Sequence, residues 1–338
     1  MPQVFAAARA NLKNPPRIYT EVAIEQLPGI VSFFQKDVPL AFKNVPDAQL
    51  KAEFNKTNRA VVDSLNQYGS FLKNDLVPRS HGDFRLGAEN YRKKLLYEEM
   101  VETPLDQLLR LGYRNLRENR EAFRRTAARI DPKRAPRQIL EDAEKDHPAP
   151  GKLLQAFRDV PGRLRDFIVQ HRIVTIPSPV PPILEETPPF LRALTFASMD
   201  TPGAFETVAK EAFFNVTLPE AAWSSKQVEE HMAAFNRGVI ISTAIHEAYP
   251  GHYVQFLWLR NAPSKVRKLL GASTNAEGWA HYCEQMLQEG HFGSHLSVLH
   301  ARQAGDSQTT GRLPQIAGQR LHARRVSQQF HETGLSTH

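Results

Sequence analysis

Pro250 and Gly251 are the residues that most constrain the fold of this chain, because they interrupt an apolar helical segment between two histidines. The segment reads HEAYPGH and runs from His246 to His252. Side chains six positions apart on an unbroken helix lie about 120° apart around the axis, too far to share one metal ion. Proline removes a backbone N–H and glycine accepts almost any dihedral angle, so this pair disrupts a helix readily. We therefore predict a local bulge that returns His252 to the face of His246.

The residue types around this interruption are those of a hydrolytic zinc site. Glu247 directly follows the first histidine, and a second motif, EGWAHYCE, begins at Glu277 on a later predicted helix. Such a site needs three ligands, an open position for water and a carboxylate that takes the proton of that water. The sequence therefore predicts one bound Zn²⁺ and a hydrolytic enzyme.

The segments HEAYPGHYVQ and NAEGWAHYCEQM resemble a bacterial family known as domain of unknown function 885, which is grouped with the gluzincin metallopeptidases. The motifs of that family read H-E-x-x-P-G-H and E-G-W-A-x-Y-x-E. The likeness extends upstream through FRLGAENYRKKLLYEE and PPFLRALTFASMDTPGAFE and covers most of residues 1–292. The resemblance implies a zincin-like catalytic core and a zinc metallopeptidase, with short peptides as the expected substrates.

The resemblance also implies a role for individual residues. It implies that His246, His252 and Glu277 hold the zinc. By the same likeness Glu247 is the general base. Glu284 stands two helical turns after Glu277 and resembles the last acidic position of the family motif, so its expected role is to orient a ligand histidine.

A rival ligand set exists among the same residues. Glu277 and His281 are four positions apart on a regular helix, so they could supply two ligands while His246 supplies the third. That scheme needs no bulge. We rank it second, because it leaves the Pro-Gly pair unexplained and because the family resemblance places a ligand at His252.

The first part of the chain is predicted to be helical, since apolar residues recur at three-, four- and seven-residue spacings from Asp47 to Asp75. Proline-rich segments then separate short stretches rich in β-branched and aromatic residues. These stretches predict strands at Ile173–Ile176, Leu191–Ser198 and Phe213–Leu218. Ser224 and Gln227 form a capping box that predicts the start of the helix leading to the metal motif. The predicted fold is mainly α with a small mixed or antiparallel β-sheet, an α+β class with an α-helical N-terminal part.

Three regions are expected along the chain: a mainly helical region at 1–171, a catalytic region at 172–292 and an atypical polar tail at 293–338. The tail has no lysine, tyrosine or tryptophan and is rich in histidine, arginine, glutamine and serine. We interpret this tail as disordered or as read from a shifted frame. Relative to the family, we interpret the chain as truncated at both ends.

The net charge of +7 raises the question of a nucleic-acid partner. Basic residues concentrate between Arg110 and Arg137, where acidic residues interrupt them and an approximate apolar face runs at helical spacing. This pattern is typical of a solvated helix face, so no nucleic-acid partner is expected. The chain has no run of about 18 apolar residues and no signal-peptide pattern, so we expect a soluble chain without a membrane span. Compartment and oligomeric state stay open.

Two alternatives to a peptidase also stay open. The same activation of water could act on a non-peptide amide. Alternatively, the chain could be a truncated and catalytically inactive zinc-binding fragment that lacks the group needed to stabilise the oxyanion.

Overall fold

A computed structural model describes residues 1–289 of the 338-residue chain. These residues are mainly helical and contain one three-stranded sheet, which confirms the predicted α+β class. The helices are α1 (Pro2–Asn11), α2 (Arg17–Ser32), α3 (Val38–Ala41), α4 (Ala48–Phe71), α5 (Ala88–Glu99), α6 (Leu105–Ile130), α7 (Pro136–Lys145), α8 (Leu153–Phe157), α9 (Val160–His171), α10 (Ser225–Ala234), α11 (Arg237–Glu247), α12 (His252–Leu259), α13 (Lys265–Leu269) and α14 (Ser273–Glu289). Short π-helical or 3₁₀-helical segments occur at Phe33–Asp37, Leu72–Leu76, Val77–Arg79 and Pro150–Lys152. None of the described helices is both long and apolar enough to cross a lipid bilayer.

The described residues divide into two compact units. The first unit comprises Met1–Leu108 with Glu186–Phe196, and the second comprises Leu109–Glu185 with the described chain from Ala197 onward. The predicted division at residues 171 and 172 rests on composition and stays a prediction. The predicted polar tail at 293–338 lies outside the described residues.

The first unit contains α4, the helix that apolar periodicity predicted between Asp47 and Asp75. Asp47 caps this helix, because its side chain accepts a hydrogen bond from the backbone N–H of Leu50 at 2.9 Å. The chain then continues from α4 into the π-helical segment Leu72–Leu76. Leu65, Leu72 and Leu76 are almost completely buried. The helix prediction for this stretch is therefore confirmed.

Helix α6 has the apolar spacing that the sequence predicted, but its apolar side chains are largely exposed. Ala127 is its buried residue. Large apolar side chains of the same helix that are exposed within the described part of the chain are Leu109, Leu111, Tyr113, Leu116, Phe123 and Ile130. An amphipathic pattern thus gives a helix here without giving it a buried face.

The core of the second unit joins the sheet to the helix that carries the first metal motif. Phe157 of α8 is completely buried, and its ring centroid lies 5.5 Å from that of Phe214 and 5.8 Å from that of Phe235, both edge-to-face. Ala244 and Ile245 of α11 belong to the same buried cluster. Packing against this cluster therefore fixes α11 relative to the sheet.

The sheet consists of β1 (Ile183–Glu186), β2 (Ala197–Asp200) and β3 (Phe213–Val216) in the order β1-β3-β2. β2 runs antiparallel to β3, with Ser198 opposite Asn215 and Met199 opposite Phe214. Side chains alternate between the two faces of a strand, and Met199 and Phe214 belong to the core. Ser198, Asp200 and Asn215 therefore lie on the opposite face.

Of the three strand predictions, one is confirmed, one was too long and one was wrong. The prediction at Phe213–Leu218 is confirmed by β3. The prediction at Leu191–Ser198 was too long, because Leu194 donates to the Leu191 carbonyl at 2.8 Å in a turn and β2 begins only at Ala197. The prediction at Ile173–Ile176 was wrong. That segment forms a loop whose apolar side chains pack against the core, so burial accounts for its composition.

The helix that leads to the metal motif begins as the capping box predicted. The N–H of Gln227 donates to Ser224 Oγ at 3.3 Å, and the N–H of Ser224 donates to Gln227 Oε1 at 3.0 Å. This helix, α10, ends at Ala234, and Asn236 then caps α11 by accepting from the N–H of Val239 at 3.1 Å. The chain therefore reaches the metal motif on a second, separately capped helix.

Candidate metal centre

The two motif histidines lie on two different helices, so the predicted bulge within one helix was wrong. α11 ends at Glu247, α12 begins at His252, and the Tyr249–Pro250 peptide bond between them is cis. The N–H of Gly251 donates to the carbonyl of Ile245 at 3.0 Å, which holds the junction against the end of α11. The two histidines nevertheless come together as expected, because their imidazole centroids are 4.8 Å apart.

Gly251 allows this junction because the backbones approach too closely for any side chain. A Cβ atom at Gly251 would lie 1.7 Å from the carbonyl oxygen of His246 and 2.5 Å from that of Ile245. Both contacts are with backbone atoms, which cannot rotate away. Close approach to α11 therefore explains the glycine in the motif.

Helix α14 brings the second motif against this junction. It packs against both α11 and α12. The indole N–H of Trp279 donates to the carbonyl of Pro250 at 2.9 Å, and its ring packs against the core of the second unit. Trp279 therefore ties α14 to the chain reversal between the two histidines.

Three side chains converge at the end of α11. Glu277 places one carboxylate oxygen 3.4 Å from His246 Nε2 and the other 3.6 Å from His252 Nε2. One potential ligand atom from each of these residues lies within 4.8 Å of the others. The structure thus brings together the three residues that the family resemblance assigned to a metal ion.

Glu284 lies behind His246, on the other side of its ring from Glu277. His246 Nδ1 donates to Glu284 Oε1 at 2.7 Å, and Ser242 Oγ donates to Glu284 Oε2 at 2.6 Å. Burial opposes ionisation of Glu284, but these hydrogen bonds outweigh burial and lower its pKa. The bond from Nδ1 leaves the Nε2 lone pair of neutral His246 directed towards His252 and Glu277.

The pKa values of the two histidines move in opposite directions. The hydrogen bond to Glu284 is the main cause that raises the pKa of His246. Burial is the main cause that lowers the pKa of His252, and the nearby His246 adds to this effect. Burial of His252 therefore favours a neutral imidazole, the form that binds a metal ion.

Glu247 is a buried carboxylic acid next to this cluster, with only 8% of its surface exposed. Burial raises its pKa to about 7. The charge of His246 opposes the rise, whereas three nearby carboxylates add to it: Glu277, Glu284 and Asp200. A carboxyl group with this pKa can exchange a proton near neutral pH.

His281 does not form the rival set that the sequence suggested. Its Nδ1 lies 3.0 Å from Glu284 Oε1, and its ring centroid is 5.1 Å from that of His246. Among the described residues, His281 therefore groups with His246 and Glu284, and the group that contains Glu277 has His252 as its other histidine. The side chain of His281 is 71% exposed.

Two features of this site were missed from the sequence. Ser242, which holds Glu284, stands four residues before His246 on α11, and this spacing could have identified it. Asp200, whose charge acts on Glu247, lies far away in the chain, and the packing of β2 against α11 brings it near. Tyr249 and Cys283, which also belong to the two motifs, are buried in the hydrophobic core.

The chain belongs to the DUF885 family of bacterial proteins of unknown function, whose family model matches residues 1–329. The match therefore passes residue 292, where the motif likeness was expected to stop. None of the curated proteins compared with this chain matches it.

Two solved structures have a similar fold. One is described as "a putative lipoprotein of unknown function" from Shewanella oneidensis, with 25% identity, a TM-score of 0.61, and coverage of 86% of this chain and 55% of its own. The other, "the putative lipoprotein" from Colwellia psychrerythraea, has 16% identity, a TM-score of 0.61, and coverage of 84% of this chain and 50% of its own. The chain spans about half the length of both proteins. At 16% identity, the second likeness concerns the fold alone.

Proposed function

We propose that this chain is a zinc-dependent hydrolase that cleaves peptide bonds, with Zn²⁺ held by His246, His252 and Glu277. The observation that carries the proposal is the spacing between the Glu277 carboxylate and the two imidazoles: Oε2 lies 3.4 Å from His246 Nε2, and Oε1 lies 3.6 Å from His252 Nε2. Ligands at about 2.1 Å from a tetrahedral zinc ion are about 3.4 Å from one another. Two imidazole nitrogens and one carboxylate oxygen are also a donor set that zinc accepts in catalytic sites.

The surroundings of the ligands support the same metal. Glu284 accepts the Nδ1–H of His246, as a carboxylate commonly does behind a metal-binding histidine. The side chain of Glu277 is 58% exposed, so the cluster is open to solvent and substrate on that side. Bound at such a set, zinc acidifies a water molecule and polarises a carbonyl oxygen.

Glu247 is the proposed general base. Its carboxylate accepts a proton from the attacking water and returns that proton to the leaving nitrogen. Burial raises the pKa of this group in the metal-free site, which makes its carboxylate a stronger base than that of an exposed glutamate.

The position of the sheet favours a peptide over a non-peptide amide. Within the described residues β2 is an edge strand, and both α11 and α12 pack against it. An extended peptide can add to a sheet edge through its backbone hydrogen bonds. Such a peptide at β2 would run beside the two helices that carry the motif.

The test is hydrolysis by the full-length chain in the presence of Zn²⁺, measured on a mixed peptide library by mass spectrometry. We expect wild type to cleave peptides. Glu247→Gln should retain zinc and lose about 100- to 10,000-fold in rate, the usual contribution of a general base. Glu220→Gln removes the same charge at an exposed residue of the second unit, and this variant should cleave peptides at the wild-type rate.

Three results would contradict the proposal. Zinc binding without cleavage of any library peptide would leave the chain as a zinc-binding protein without peptidase activity. Equal rates for wild type and Glu247→Gln would exclude Glu247 as the base. Cleavage of non-peptide amides alone would support the amidohydrolase instead.

A further inference from the structure

The sheet has a polar face that the proposed mechanism does not use. Ser198, Asp200 and Asn215 lie on the side of β2 and β3 that faces away from the core. On β1, Leu184 packs against the core, so its neighbour Glu185 lies on the same side as these three residues. We call Glu185, Ser198, Asp200 and Asn215 the polar face.

Asn215 stands in the middle of the polar face, because β3 lies between β1 and β2. It is completely buried. Its Nδ2 donates to Asp200 Oδ2 at 2.8 Å and to Ser198 Oγ at 3.3 Å. Its Oδ1 is buried and has no hydrogen-bond partner within the described residues. A buried acceptor without a donor is rare in folded proteins, so this oxygen points to a missing donor.

The two carboxylates of the polar face indicate that the missing donor carries a positive charge. Glu185 and Asp200 belong to the strands on either side of Asn215. Burial raises the pKa of Glu185, and the charge of Asp200 raises it further. Two like charges that act on each other in a partly buried place are stabilised by a cation between them.

One strand of the polar face lies beside the helices of the candidate metal centre. β2 packs against α11 and α12, the helices that carry the two motif histidines. Asp200 stands at the end of β2, the strand that packs against these two helices. A group bound to Asp200 would therefore lie near the reacting bond.

We propose that the polar face binds a primary ammonium group of the substrate. Asp200 and Glu185 balance its positive charge, and Asn215 Oδ1 accepts one of its three N–H donors. The inference rests on the proposed function, and it names the substrate class: peptides with a free amino group close to the scissile bond. A free N-terminus makes the enzyme an aminopeptidase, whereas a lysine side chain makes it selective for lysine.

The experiment measures peptide affinity by calorimetry on the full-length Glu247→Gln chain with Zn²⁺, so that the peptides are not consumed. Three probes are compared: tetra-alanine amide, its N-acetylated form, and an N-acetylated tetrapeptide amide that begins with lysine. The same titrations are repeated after adding Asp200→Asn, Glu185→Gln or, as the matched control, the exposed Glu220→Gln. Asp200→Asn removes the charge but keeps an oxygen that can accept from Asn215.

We expect the unblocked peptide to bind about 10- to 100-fold more tightly than its acetylated form, the range for charge-assisted hydrogen bonds. Asp200→Asn and Glu185→Gln should each reduce this ratio by about tenfold, and Glu220→Gln should leave it unchanged. Tight binding of the lysine peptide would assign the ammonium group to a side chain instead of the N-terminus.

Equal affinity for the blocked and unblocked alanine peptides, together with weak binding of the lysine peptide, would overturn the ammonium site. The same conclusion follows if none of the peptides binds, or if the preference survives in both carboxylate variants. A failure of the proposed function can be told apart from a failure of the ammonium site. An ammonium preference in a wild-type chain that cleaves no peptide would refute the hydrolase and leave the binding site standing.

Discussion

Substitution of Gly251 by alanine tests how the junction between α11 and α12 builds the metal centre. The new Cβ atom would start 1.7 Å from the carbonyl oxygen of His246, whereas real contacts of this kind are at least 3.0 Å. The two backbone segments must therefore move apart by about 1.3 Å. This movement also stretches the hydrogen bond between the N–H of Gly251 and the carbonyl of Ile245, now 3.0 Å long.

The displacement is large on the scale that a zinc site accepts. Ligand distances in such sites hold to about 0.2 Å, so a shift of His252 relative to His246 takes one ligand out of reach. We expect zinc affinity to fall by at least about 100-fold, since even groups behind the ligands contribute 10- to 100-fold. The free energy of unfolding should fall by about 3 kcal/mol, the upper end for overpacking, because the atoms in contact are backbone atoms.

The assay combines competition for Zn²⁺ with a coloured chelator and urea unfolding in the absence of zinc. Gly278→Ala on α14 is the matched control, because a Cβ atom there meets no atom within 4 Å. Because Gly278 lies inside a helix, its replacement by alanine should raise the free energy of unfolding by about 0.5 to 1 kcal/mol. If Gly251→Ala equals wild type in both zinc affinity and unfolding, the close approach does not position His252 and the explanation of the motif is wrong.

The remaining predictions concern residues around the centre. Glu284→Gln should weaken zinc binding by about 10- to 100-fold in the chelator assay. Ser242→Ala should weaken zinc binding less, because this change removes only one hydrogen bond to the Glu284 carboxylate. Unchanged zinc affinity in Glu284→Gln would contradict the role of Glu284 in orienting His246. Trp279→Phe loses the hydrogen bond to the Pro250 carbonyl and should lower the free energy of unfolding in urea by about 1 kcal/mol, whereas an identical urea curve would show that the bond contributes nothing. Burial lowers the pKa of His231, so its neutral ring stabilises the fold above the unfolded pKa of about 6.5, and this contribution is lost as pH falls below that value. His231→Gln should flatten that part of the pH profile of stability, and a profile as steep as that of wild type would assign the pH dependence to other groups.

Local sequence signals predicted the helices well because the interactions behind them are local. The apolar spacing from Asp47 to Asp75 predicted α4, and Leu65 and Leu72 of that spacing are buried. The capping box at Ser224 predicted the start of α10. Strands were harder, because a strand needs a partner from elsewhere in the chain. β1 was missed since two of its four residues are glutamates, which strands disfavour.

In the candidate site, too, local motifs were predicted well and contacts between distant parts of the chain were not. The family motifs selected His246, His252 and Glu277, which the structure brings together. The backbone that joins the histidines was mispredicted, because a bulge and a chain reversal interrupt the same apolar pattern. The polar face could not be predicted at all, since Asp200 and Asn215 become neighbours only through the pairing of β2 with β3.

The zinc content of two histidine variants tests the central claim most directly. Full-length His252→Ala and His281→Ala are purified beside wild type, with the exposed His81→Ala as control, and zinc per chain is measured by mass spectrometry of the metal. We expect about one zinc in wild type, His281→Ala and His81→Ala, and a large loss in His252→Ala, because only that change removes a ligand. Full zinc in His252→Ala with loss in His281→Ala would contradict it and favour a site built on the α14 histidine.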